Sequence, residues 1–220
     1  MMLSTPAPRR HAMSAASAER SHDERSHDER PLIAEANRLM DRLPGYRVEI
    51  IGGQLLVTPP PDVPHARALT KLMRPFITAG LDDGETEVLQ GIGLWLPTDS
   101  EDYAIPDLAV VEADIDDHLI ENNSYDPDCF RLVLEVTSSN WKNDLKTKVA
   151  AYAEAKVPVY VVVDRKHQRV HVLTDPSGDD YATHRFHSPG QQVTLPDSIG
   201  AKVTLDVAEI LAAGQARGDD

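Results

Sequence analysis

The sequence predicts an α/β (α+β) fold: a mixed β-sheet flanked by helices, with an N-terminal helix and a β-hairpin ahead of it. Three observations carry this. A strand–helix–strand unit runs through residues 131–136, 143–156 and 159–163, so its two strands should pair in parallel through a right-handed crossover. Residues 47–51 and 55–58 flank Gly52-Gly53, the pattern of an antiparallel hairpin. Residues 170–173 and 182–186, around a turn at 175–180, read as antiparallel additions.

The elements follow in order. Residues 1–30 hold five arginines and five acids, are poor in aliphatic residues, and contain the tandem repeat Ser21-His22-Asp23-Glu24-Arg25, Ser26-His27-Asp28-Glu29-Arg30. They read as a disordered, neutral tail. Leu32, Ala36, Leu39, Met40 and Leu43 mark a short amphipathic helix, stopped by Pro44-Gly45. After the hairpin, Pro59-Pro60-Pro61 breaks the strand, and residues 63–81 form a second helix that Pro75 should kink or end. Strands follow at 87–90, 93–96 and 108–111. Residues 112–130 are an acidic connection without the regular ligand spacing of a calcium loop, so they read as a solvated loop. The run Tyr160-Val161-Val162-Val163 suits a central strand buried on both faces. A strand at 203–205 and a helix at 207–213 complete one domain over residues 31–214, with 215–220 as a disordered end.

Composition narrows the function. A chain of 220 residues with 41% hydrophobic content has room for a real core. Cys129 is the only cysteine, which rules out an internal disulfide and a cysteine zinc site and fits a reducing, cytoplasmic setting. No apolar run reaches the length of a membrane span. The net charge is −14, and since the tail is neutral all of it belongs to the body. That argues against tight non-specific binding to a polyanion, so any nucleic-acid contact must be local, metal-bridged or made by an unusually distributed surface.

Two carboxylates sit in apolar strands: Asp107 in Ile105-Pro106-Asp107-Leu108-Ala109-Val110-Val111 and Glu135 in Leu132-Val133-Leu134-Glu135-Val136. A buried carboxylate needs a partner, and a divalent metal is one. Side chains alternate along a strand, so Glu135 shares a face with Val133 while Leu132, Leu134 and Val136 take the other. Lys148 lies on the border of the apolar stripe Leu145, Val149, Tyr152 and Ala153, four residues after Asp144. It is either the surface ion-pair partner of Asp144 or a group that crosses toward Glu135. Two carboxylates and a lysine are what metal-assisted phosphodiester hydrolysis requires.

From about Tyr46 to Ile210 the chain resembles the Uma-two family of restriction-endonuclease-like proteins, a branch of the PD-(D/E)XK nuclease superfamily. The motifs occur in order: Tyr46-Arg47-Val48-Glu49-Ile50, Gly53-Gln54-Leu55, Thr58-Pro59-Pro60-Pro61 with His65, Pro106-Asp107-Leu108, Leu134-Glu135-Val136-Thr137-Ser138, then Asp144, Lys148 and Tyr152-Ala153-Glu154-Ala155. The resemblance implies a restriction endonuclease-like fold and a magnesium-dependent (or manganese-dependent) endonuclease that hydrolyses DNA as a homodimer. It implies Asp107, Glu135 and the carbonyl of Val136 as metal ligands. The superfamily's lysine two residues after the glutamate is replaced here by Thr137, and Lys148 matches a lysine migrated to the next helix. Glu49, His65 and Asp144 are accessory candidates. The usual Asp-Gly-Glu of the first hairpin is Gly52-Gly53-Gln54 here, which puts full activity in question. The rival readings are an inactive nuclease fold used as a binding module and a phosphodiesterase acting on RNA.

Overall fold

The computed structural model describes residues 30–138 and 141–216. The expected disorder of residues 1–30 and 215–220, and the tandem repeat, lie outside this range except for Arg30, Gln215 and Ala216. In chain order the elements are α1 (Pro31–Arg42), β1 (Arg47–Ile51), β2 (Gln54–Thr58), α2 (Val63–Thr78), β3 (Thr86–Leu89), β4 (Gly93–Trp95), β5 (Tyr103–Ala104), β6 (Leu108–Glu112), β7 (Leu119–Glu121), β8 (Ser124–Tyr125), β9 (Phe130–Val136), α3 (Lys148–Glu154), β10 (Val159–Asp164), β11 (Arg169–Ser177), β12 (Asp180–His187), β13 (Gln192–Thr194), β14 (Thr204–Asp206) and α4 (Val207–Ala213).

The strands make two mixed six-stranded sheets, ordered β12-β11-β10-β9-β6-β3 and β2-β1-β5-β4-β8-β7, and the small pair β13-β14. β9 and β10 pair in parallel, as a strand–helix–strand unit requires, with Val162 opposite Glu135. β11 and β12 extend that sheet antiparallel to β10.

Alternation sorts the central strands between two cores. Leu108, Val110, Leu132, Leu134 and Val136 meet α2 and α4 through Leu72, Phe76 and Ile210. Ala109, Val111, Val133, Tyr160 and Val162 face the other way, onto Val149 and Tyr152 of α3 and onto Leu94 and Ala104 of the second sheet. Glu135 belongs to this second face by parity with Val133. Helix α1 closes a third cluster over Val48, Ile50 and Tyr103.

Three expectations need correction. Pro75 does not end helix α2, which continues to Thr78; the N–H it lacks is the donor that would have met the Lys71 carbonyl one turn back. Residues 112–130 are not an irregular loop. They hold two 3₁₀ turns, at Ile115–His118 and Pro127–Cys129, and the strands β7 and β8, and β8 pairs in parallel with β4. Ser124 sits so close to Gly93 that a Cβ there would meet its Oγ at 2.2 Å, so only glycine fits. The 175–180 turn shrinks to Gly178-Asp179, because β11 runs on through Pro176.

Candidate active site

β6 and β9 are antiparallel, with Leu108 opposite Leu134 and Ala109 opposite Val133. Asp107 directly precedes β6 and Glu135 follows Leu134, so continuing the register sets the two side by side, and both line one cavity. Arg47 of β1 spans them: Nη2 lies 2.5 Å from Oδ1 of Asp107 and Nη1 3.7 Å from Oε2 of Glu135. The other oxygen of Asp107 accepts the Val136 amide at 2.8 Å and lies 3.2 Å from His65 Nε2. His65 is on the first turn of α2, which Asp62 caps by accepting the His65 amide.

Lys148 reaches the site because the helix before it is widened. Residues Asn143–Thr147 form a π-helical turn that runs into α3. Such turns concentrate at functional positions, since one extra residue per turn re-aims the side chains that follow. Lys148, only 4% exposed, puts Nζ 2.7 Å from Glu135 Oε1 and 2.9 Å from Glu49 Oε1. It does not form the surface pair with Asp144. Glu49 also accepts the Ile105 amide at 2.8 Å, and Tyr152 donates its hydroxyl to Glu135 at 2.9 Å.

Burial alone would raise the carboxyl of Asp107. The His65 contact, the Arg47 charge and the Val136 amide outweigh it and hold Asp107 well below the usual range. Burial pushes Glu135 up to about 8 although Lys148 pulls it down, with the Asp107 charge adding to the rise. Asp144 is pushed up to about 6, again by burial against the pull of Lys148. Burial opposes the charge of Lys148, but Glu135, Glu49 and Asp144 together raise it far above its ordinary value. The directions agree physically. Four carboxyls share two cations, so Lys148 and Arg47 stay charged and the unneutralised excess falls on Glu135 and Asp144.

These residues border a cavity of about 40 Å³, with Thr58, Ser138, Val136 and Asn143 on its wall. It has room for a few water-sized groups and none for a nucleotide. Four carboxyl groups on its wall, Glu49, Asp107, Glu135 and Asp144, face two permanent cations, Arg47 and Lys148, and oxygen donors with surplus negative charge suit a hard divalent cation. Among the described residues, however, no three His, Cys, Asp or Glu side chains converge as ready ligands for one ion, and Arg47 occupies one oxygen of Asp107. The same holds for the acidic stretch 112–130, which forms no metal cluster.

The structure thus brings together Asp107, Glu135, Lys148, Val136, Glu49, His65 and Asp144. Sequence reasoning gave no role to Arg47 or Tyr152. Arg47 precedes Glu49 by two and so shares its strand face, a signal that was readable. The Gly52-Gly53-Gln54 turn does not line the cavity. Both glycines have positive φ, 60° and 68°, and their amides donate to the carboxylate of Asp102 at 2.7 and 3.0 Å. The missing Asp-Gly-Glu is therefore a change in a hairpin turn, away from the carboxylates.

No helix among the described residues is long and apolar enough to cross a membrane. No curated protein matches the chain in sequence. Among solved structures, a "putative nuclease" from Anabaena variabilis is similar at 13% identity, over 76% of this chain and 91% of that one, with a TM-score of 0.58. At that identity the likeness shows a shared fold. In sequence, residues 34–208 match the model of the Uma2 family, described as "Putative restriction endonuclease", and the chain belongs to that family.

Proposed function

We propose that the protein is a magnesium- or manganese-dependent endonuclease that hydrolyses phosphodiester bonds of DNA. The observation that carries this is a buried lysine held on a carboxylate that faces a second carboxylate across two strands. Asp107, Glu135 and the Val136 carbonyl would hold the ion. When bound, it supplies a polarised phosphate oxygen and a more acidic water. Lys148 is held charged by three acids, so it serves as a hydrogen-bond donor to charge developing on the phosphoryl oxygens, and not as a base. Tyr152 and Glu49 fix the pair it makes with Glu135. His65 and the Val136 amide orient Asp107. Arg47, paired with Asp107, would have to release that carboxylate for an ion to be held there, and its guanidinium would then be available to bind a phosphate. Two copies acting together would cut both strands of a duplex.

The test is nicking of supercoiled plasmid in magnesium, manganese or chelator, by wild type, Asp107→Asn and Glu135→Gln. Metal-dependent nicking by wild type alone is expected. Turnover of RNA and not DNA would change the substrate. Metal-independent binding of nucleic acid or protein without turnover would make the fold a binding module. The Arg47 guanidinium lying across both carboxylates favours that second reading, because it satisfies them without an ion.

A further inference from the structure

We infer that a cationic groove along α2 carries the nucleic-acid backbone to and from the site; this rests on the nuclease reading above. The chain as a whole is strongly acidic, yet one surface reverses the sign. Three depressions follow one another in series, the first of them beside the site cavity. The first shares Ser138 with that cavity and is walled by Arg165, Lys166 and Trp141. The second shares Gln215 with the first and is walled by Arg67, Lys71 and Arg74 of α2. The third shares Lys71 and Arg74 and ends at Lys202. Among the described residues their walls hold six cations against two acids, Asp62 and Glu209.

Both acids are already spent: Asp62 on Arg165 at 3.1 Å and Glu209 on Lys71 at 2.7 Å. Among the described residues, Arg67, Arg74 and Lys202 have no acidic partner. Arg67, Lys71 and Arg74 follow each other at four and three residues, one side of the helix, about 6 Å and about 4.5 Å apart along its axis. The floor between them is small, Ala66, Ala212 and Ala213, so a backbone can come close. Where the groove meets the site, Lys166 Nζ lies 4.3 Å over the Trp141 ring and His167 meets the ring edge-on at 4.8 Å. A half-exposed aromatic ring beside paired cations is a surface on which a base can stack.

A sugar-phosphate strand suits this better than an acidic protein segment, because the groove begins at Ser138, on the wall of the cavity where the scissile phosphate is proposed to sit. The test measures anisotropy of a labelled oligonucleotide, single-stranded or duplex, in calcium buffer over a salt series. The variants are Arg67→Ala, Arg74→Ala and the double charge reversal Arg67→Glu with Arg74→Glu. Each alanine change should lower the slope of log affinity against log salt by about 0.9 for duplex, or about 0.7 for single strand. The double reversal should weaken binding about tenfold or more at moderate salt. Hydrolysis of bis(p-nitrophenyl) phosphate, too small to need the groove, should stay unchanged in all three. Wild-type affinity and slope in the double reversal, with nicking intact, would overturn the groove and leave the nuclease reading standing. Hydrolysis of the small diester by wild type without oligonucleotide binding would also overturn it. A change in sedimentation with unchanged nucleic-acid affinity would make the groove an interface between copies. Absence of turnover on every substrate, with salt-dependent binding lost in the variants, would sink the nuclease reading and uphold the groove.

Discussion

Lys148 and Glu135 form a buried ion pair of 2.7 Å between a helix and the strand it packs over, with Glu49 of the second sheet completing a triangle at 2.9 Å. Both partners are buried, with 4% and 2% of their surface exposed. The pair is therefore expensive to break from either side.

Lys148→Ala should abolish nicking while leaving magnesium affinity nearly intact, since the lysine is not a proposed ligand. Lys148→Arg should also fail, because a planar fork does not replace a compact ammonium. Burial adds a cost that a surface lysine would not have: Lys148→Ala should destabilise the metal-free protein by about 3 kcal/mol at neutral pH. Plasmid nicking beside urea melts checks both. Full nicking by Lys148→Ala would remove it from the chemistry.

Arg47 stands where a second cation would otherwise be needed. Arg47→Ala should destabilise the metal-free protein by about 3 kcal/mol, because the buried carboxylate of Asp107 loses its guanidinium partner and Glu135 keeps Lys148 alone. Magnesium should then raise the melting temperature of the variant more than that of wild type. Equal shifts in both proteins would show that the ion and Arg47 do not share those carboxylates.

The contribution of Glu135 and Asp144 to the stability of the metal-free protein should fall as pH rises from about 4 to about 8, while His171, His184 and His187, lowered by burial, act the other way below 6.5. Glu135 and Asp144 have folded values of about 8 and about 6, above their ordinary values of 4.5 and 3.8. In that window these two groups bind more protons in the folded state than in the unfolded one, so their contribution to the slope of unfolding free energy against pH is negative. Asp107 is shifted the other way and acts only below its ordinary range. Denaturant midpoints of wild type and Glu135→Gln at about pH 7 and about pH 8 in chelator test this, above the range of the histidines, and a wild-type midpoint that rises to pH 8 relative to the variant would contradict it.

Asp102→Ala should cost about 2 kcal/mol, because the Gly52 and Gly53 amides lose a charged acceptor that is itself fully buried. Nicking by the folded variant should persist. Loss of nicking in a fully folded Asp102→Ala protein would tie the hairpin turn to the chemistry after all.

The strand frame was legible because its signals are local. Glu135 could be placed on the face of Val133, and the crossover to 159–163 read as parallel, from alternation and spacing alone. The convergence of Asp107 with Glu135 was suggested by neighbouring strands, and the register that makes it so is a property of the pairing. Lys148 could not be assigned between Asp144 and Glu135, since a regular 3.6-residue period hides a π turn. Residues 112–130 misled because strands of two and three residues carry too little alternation to show. The hold of Asp102 on Gly52 and Gly53 spans about fifty positions and leaves no local trace.

The polar cluster draws Arg47 and Glu49 from one hairpin strand, His65 from a helix, and Asp107, Glu135 and Lys148 from points up to a hundred residues downstream. During synthesis the lysine is therefore among the last of these to leave the ribosome, after both strand carboxylates are already out. A nascent or prematurely terminated chain ending before residue 148 can carry every acid of the cluster and still lack the ammonium that joins them. On the proposed function, a chain that ends before residue 148 is expected to be inactive, so the activity would arise late in synthesis.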